Sequence, residues 1–141
     1  MTANRRRFVI LRHTPGSRGS RGPNRASPVP PHFDWMFEVG GILKTWATEP
    51  IESFQQELMI PVEKLADHRL RYLDFEGEIG GDRGTVRRVL AGDYHTIQDA
   101  ADRFVADLRW IDPEGTARTQ RVQIGLERLR LSTVPAATER P

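Results

Sequence analysis

The chain contains no cysteine. That excludes a disulfide framework, a thiolate metal site and a cysteine nucleophile. It has no apolar run of about 18 residues, so no segment reads as a membrane-spanning helix. "FVIL" (8–11) is all that separates a basic start from Arg12, too short for the core of a signal peptide. A cytoplasmic protein with no membrane contact is the expectation. Lysine is almost missing, at 2 residues against 19 arginines. Acid is missing altogether from residues 1–33, which hold seven arginines. From Asp34 onward there are 14 basic and 19 acidic residues, a net of −5. A basic arm on a mildly acidic body suits an anionic partner such as nucleic acid.

What is present fits one domain, since 141 residues suffice for a single hydrophobic core. Residues 1–6 read as a basic tail, 7–131 as the domain and 132–141 as a second tail. "RFVILRH" (7–13) reads as a strand. The stretch 14–31, dense in proline, glycine, serine and arginine, reads as a disordered loop. "HFDWMFEV" (32–39) alternates strictly, and Gly40-Gly41 then supplies the positive φ of a tight hairpin into "ILKTWAT" (42–48). "ELMIPVEKLADH" (57–68) is ambiguous, its Pro61 arguing against a long helix. "RYLDFEGEI" (71–79) reads as a strand and "GGDRG" (80–84) as a turn. "TVRRVL" (85–90) and "YHTI" (94–97) flank "AGD" as a hairpin, and "IQDAAD" (97–102) suits one helical turn. "RFVADLRWI" (103–111) reads as a strand, "DPEG" as a turn, and 116–131 as the closing strand or strands. Short strands at regular spacing with Gly/Pro turns predict a mainly β protein, a small antiparallel β-barrel with little helix.

In a strand, residues i and i+2 share a face about 6.5–7 Å apart. His32 and Asp34 therefore project side by side, an imidazole and a carboxylate that suit a divalent cation. The opposite row, Phe33, Trp35, Phe37 and Val39, is the core face. Taken alone, H-x-D also describes an edge strand with one wet face. His13 shifts that balance, because pairing of the first two strands closes it on His32 and Asp34 into a three-ligand site. His68, in the basic context "ADHRLRY", suits phosphate binding or proton donation. His95 reads as structural or exposed.

These residues carry a resemblance. "RFVILRH" (7–13), "HFDWMFEVGGILKTWA" (32–47), "ADHRLRYLDFEGEI" (66–79) and "RGTVRR" (83–88) resemble the 3'-phosphoesterase domain of bacterial DNA ligase D, in a stand-alone short form. The resemblance implies a small β-barrel that removes 3'-phosphates and 3'-ribonucleotides from nucleic-acid ends. It also implies a divalent metal, Mn²⁺ first with Zn²⁺ or Co²⁺ as substitutes, and DNA-repair proteins as partners. It places the metal on His13, His32 and Asp34, and a phosphate-contacting histidine and nearby tyrosine on His68 and Tyr72. The departures lie on the phosphate side. Met36 stands where the family has an arginine, "ATEPIES" (47–53) lacks its lysine, and Ala66 replaces an acid. Arg83 and Arg12 are the substitutes expected to grip phosphate. An alternative follows from the same departures: a catalytically weak or inactive module that binds nucleic-acid ends.

Overall fold

The computed structural model describes residues 5–16 and 30–136. Ten strands build it: β1 (Arg6–Thr14), β2 (His32–Val39), β3 (Ile42–Thr48), β4 (Leu58–Pro61), β5 (Glu63–His68), β6 (Gly77–Glu78), β7 (Thr85–Ala100), β8 (Arg103–Ile111), β9 (Ala117–Ile124) and β10 (Arg128–Ser132). They form one antiparallel sheet in the order β4-β10-β9-β8-β7-β1-β2-β3-β5, with β6 added beside β7. The mainly β class is therefore as expected. Among the described residues no helix is long and apolar enough to cross a membrane. The 14–31 loop falls mostly on residues 17–29, which lie outside the described residues, as do residues 1–4 and 137–141 of the two tails.

The expected barrel is not closed. β4 and β5, the two ends of the sheet, are joined by the single residue Val62. Strands linked through one residue run on in line and cannot fold back to pair with each other. β4 pairs β10 and β5 pairs β3, so a covalent seam stands where a ladder would close the ring. Pro61 suits the seam because it brings no N–H to an edge, and Val62 N–H donates instead to the Glu127 carbonyl at 3.0 Å. The sheet curls strongly all the same. Trp46 of β3 stacks on Phe104 of β8 with centroids 5.2 Å apart, across the interior.

Alternation puts one row of each strand into that interior. Phe8 and Ile10 of β1, Trp35 and Phe37 of β2, and Phe104 and Leu108 of β8 are buried together. Phe37 meets Trp46, Tyr94 and Phe104 edge-on or tilted, as ring quadrupoles favour. The Trp35 indole N–H donates to Thr48 Oγ1 at 2.9 Å, which satisfies its polar edge.

The outer face of β1 and β2 is buried as well. Val9, Leu11, Met36 and Leu43 form a second, smaller core under Leu73 and Val86. The row His32, Asp34, Met36 is thus not a wet face: Asp34 is 3 % exposed and Met36 1 %. The cover comes from 71–79, which is not the expected strand. It is a 3₁₀ turn, Leu70–Leu73, followed only by the two residues of β6. Its apparent alternation serves other ends. Leu73 enters the outer core, Asp74 pairs with Arg7 at 2.7 Å, and Glu76 Oε2 accepts from the Arg88 N–H at 2.6 Å.

Two more local expectations are overturned. "AGD" is no turn, because β7 runs unbroken from Thr85 to Ala100. Gly92 is there for space: a Cβ would overlap the Arg109 carbonyl oxygen of β8 and press on the Phe8 ring. The helical turn at 97–102 is strand up to Ala100. The ladder slips between Thr96 and Gln98, leaving Ile97 as an exposed bulge residue. Thr85–Ala100 pairing with β1 and β8 outweighs the weak helix preference of that stretch.

Candidate metal centre

The register of β1 on β2 sets His13 opposite His32 and Leu11 opposite Asp34. His13 Nδ1 lies 3.3 Å from His32 Nε2 and 3.7 Å from an Asp34 oxygen, and His32 Nε2 lies 3.1 Å from the other. One donor atom from each residue falls within 4.8 Å of the other two.

Both rings are aimed by backbone carbonyls. His13 Nε2 is 3.1 Å from the Arg83 carbonyl oxygen. A carbonyl only accepts, so the proton sits on Nε2 and the lone pair of Nδ1 faces the cluster. His32 hydrogen-bonds likewise to Pro30, whose backbone can offer only its carbonyl. This is how metal-binding imidazoles are held. Two glycines make the first contact: Gly16 and Gly84 pack so closely that a Cβ on either would overlap the other's backbone. Gly84 also has φ +106°, which disfavours any side chain. The 80–84 turn thereby lies against the end of β1 and presents the Arg83 carbonyl.

The acid is the least satisfied member. Asp34 Oδ1 is buried and makes no well-directed hydrogen bond, although His32 Nε2 is 3.1 Å away. The carboxylate is close enough to hold a proton on His32 Nε2. It raises the pKa of His32: the Asp34 hydrogen-bonding contact contributes most, burial opposes it, and the Asp34 charge, Pro30 and Glu63 add to it. Two lone-pair donors and a carboxylate at these separations fit a divalent ion. Ligands about 2.0–2.2 Å from a common centre stand roughly 2.9–3.6 Å from one another.

His13 and Asp34 also line a cavity of about 210 Å³ with Met36, His68, Tyr72 and Arg83. His68, Tyr72 and Arg83, expected on the phosphate side, therefore share this cavity with two of the three candidate ligands, His13 and Asp34. His68 Nδ1 donates to the Ala66 carbonyl at 2.9 Å, which leaves Nε2 for a ligand. Tyr72 packs edge-on against His68, centroids 5.8 Å apart. Arg83 Nε donates to the Gly80 carbonyl at 2.6 Å. Arg12 is not brought in. It alternates with Leu11 and His13 on β1, so its side chain leaves by the opposite face, beside Arg87. His95 is exposed near Arg6 and Asp99, far along β7 from the cluster.

Sequence reasoning missed the carbonyls of Pro30 and Arg83, and the wall made by Met36. The glycine of "DRG" was a signal for the second carbonyl, since a glycine after a turn arginine marks close backbone approach. The site lies on the outer face of the sheet, under the 70–79 cover. The chain matches no family model and no curated protein.

Proposed function

We propose that the protein is a metal-dependent phosphoesterase acting on 3'-phosphate esters, nucleic-acid 3'-ends first among them. The carrying observation is the convergence of His13 Nδ1, His32 Nε2 and the Asp34 carboxylate beside a cavity that also holds His68, Tyr72 and Arg83. The sequence resemblance to the ligase D 3'-phosphoesterase domain supports the same reading and points to Mn²⁺, with Zn²⁺ or Co²⁺ as substitutes, and to DNA-repair partners.

His13, His32 and Asp34 would hold the ion, which supplies Lewis-acid polarisation and charge neutralisation at a phosphoryl oxygen. His68 offers Nε2 to the phosphoryl group or, protonated, to the leaving oxygen. Tyr72 packs edge-on against the His68 ring and would limit its rotation. Among the described residues Arg83 is the only arginine or lysine lining the cavity, and it contributes charge-assisted hydrogen bonding. The test is phosphate release from a 3'-phosphorylated primer with Mn²⁺, against His32→Ala. Release by the wild type and none by the variant is expected. No release from any end-modified substrate overturns the enzymatic reading.

One observation favours a second reading, a module that binds ends without turnover. Met36 is buried among Val9, Leu11 and Val86 where the resembled domains carry an arginine. A lost bidentate contact of that kind is worth roughly 1.5–3 kcal/mol. Salt-dependent DNA binding without phosphate release would select this reading.

A further inference from the structure

The metal-ligand cluster lies between two depressions of opposite character. One is the cavity that holds Arg83 and His68. The other, about 460 Å³, opens on the far side of His32. Its walls are Pro31, Val62 and Leu65, with Glu49 and Glu63, and among the described residues no arginine or lysine lines it. The two are linked by a single cross-strand row. Leu11 of β1 stands beside Asp34 of β2, Asp34 beside Ala47 of β3, and Ala47 beside Glu63 of β5. Strands in a sheet are about 4.8 Å apart. Ala47 is therefore the low floor next to the cluster, and Glu63 is a wall about 10 Å from Asp34. Lys64 does not neutralise that wall, because it alternates to the other face and lies over the Trp46 ring.

A phosphate ester held at the cluster has its phosphoryl oxygens toward Arg83. Its alcohol half then lies across Ala47. From this polarity we infer that the second depression is the leaving-group subsite, and that Glu49 and Glu63 make it select an uncharged alcohol of single-nucleoside size. This rests on the phosphoesterase reading but reverses its order of substrates, putting a nucleoside 3'-monophosphate ahead of a nucleic-acid 3'-end. A nucleoside meets apolar walls and two carboxylates that can accept its hydroxyl or amino hydrogens. A leaving group that carries a further phosphate brings that charge toward both glutamates, where like charges repel. A nucleoside 3'-monophosphate is thus a better ligand than the 3'-phosphorylated end of a longer strand.

The experiment uses the full chain loaded with Mn²⁺ and non-hydrolysable 3'-methylenephosphonate analogues, with dissociation constants measured by calorimetry. One analogue carries thymidine alone and the other a thymidine dinucleotide. The mononucleotide analogue binds about fivefold more tightly to the wild type, the scale of two exposed charges. In Glu49→Gln/Glu63→Gln the ratio falls to near one. Ala47→Leu, which raises the floor, weakens both analogues while the chain still binds Mn²⁺. Equal binding of both analogues by the wild type overturns the inference, as does a ratio unchanged in the double variant or an Ala47→Leu protein that binds both normally. Phosphate release is scored separately. Turnover without a preference leaves the phosphoesterase reading standing and removes the subsite, whereas a preference without turnover does the reverse.

Discussion

A proton on His32 Nε2 occupies the point where a cation would sit, between the Asp34 carboxylate and the lone pair of His13. His32 therefore keeps its proton to higher pH than a free histidine, chiefly through Asp34. Its folded-state pKa lies above the unfolded one, so the stability that this proton contributes is complete below about pH 6.5. It is lost as pH rises through the folded value. A divalent ion must displace the same proton. Metal affinity should then climb with pH until His32 has lost its proton, and below that point binding should release up to one proton. Calorimetry in buffers of different ionisation enthalpy measures the release. Asp34→Asn removes both a ligand and the charge that holds the proton. It should weaken metal binding by at least the 10–100-fold that loss of an orienting partner costs, with less proton release. Gly84→Ala touches no ligand but forces the turn away from β1. It should weaken metal binding about tenfold by releasing the Arg83 carbonyl from His13, readable in the same titration.

Individual elements carry the stability that keeps the site rigid. β2 presents Phe37 to four rings on its inner face, so Phe37→Ala should cost about 3–5 kcal/mol in urea unfolding. On the outer face, Leu73 pins the 70–78 cover over Val9 and Leu11. Leu73→Ala should cost about 2–4 kcal/mol. Its amide exchange should rise first at 70–78 and not in β8 and β9, because the loss is local to the cover. The turn from β8 to β9 depends on Asp112. Its carboxylate accepts from the N–H groups of Glu114 and Thr116 and from Arg118 Nε. Those bonds hold its pKa below the usual carboxylate range, with Thr116 first among the causes. A depressed pKa means stability that is present above about pH 4 and lost as pH falls through the folded value. Asp112→Asn should flatten that part of the acid-unfolding curve, followed by circular dichroism.

At the scale of the whole molecule, one curled sheet has two buried faces of unequal size, and the candidate site occupies the smaller one. An ion held by His13, His32 and Asp34 would tie β1 to β2 and would act on the folded state alone. At about 100 times its dissociation constant it should add roughly 2.7 kcal/mol to stability. Thermal unfolding with and without Mn²⁺ checks this, and His32→Ala should abolish the gain.

The alternation of His32–Val39 determined β2 to the residue, because both rows of that strand had fixed partners. Gly40 and Gly41, both at positive φ, determined the hairpin, and the apolar period of Arg103–Ile111 determined β8. The pairing of His13 with His32 and Asp34 was legible for the same reason: strand periodicity survives into any sheet. Residues 71–79 and 91–102 were not legible locally. Their alternation and turn residues were real, but their meaning depended on distant partners: Arg7 and Arg88 for the cover, Arg109 and Phe8 for Gly92. Only the tertiary structure decided that Arg12 faces away, that Met36 is a wall, and that two carbonyls aim the histidines. Those are matters of which face a neighbour covers, and a one-dimensional pattern holds no record of what lies across the sheet.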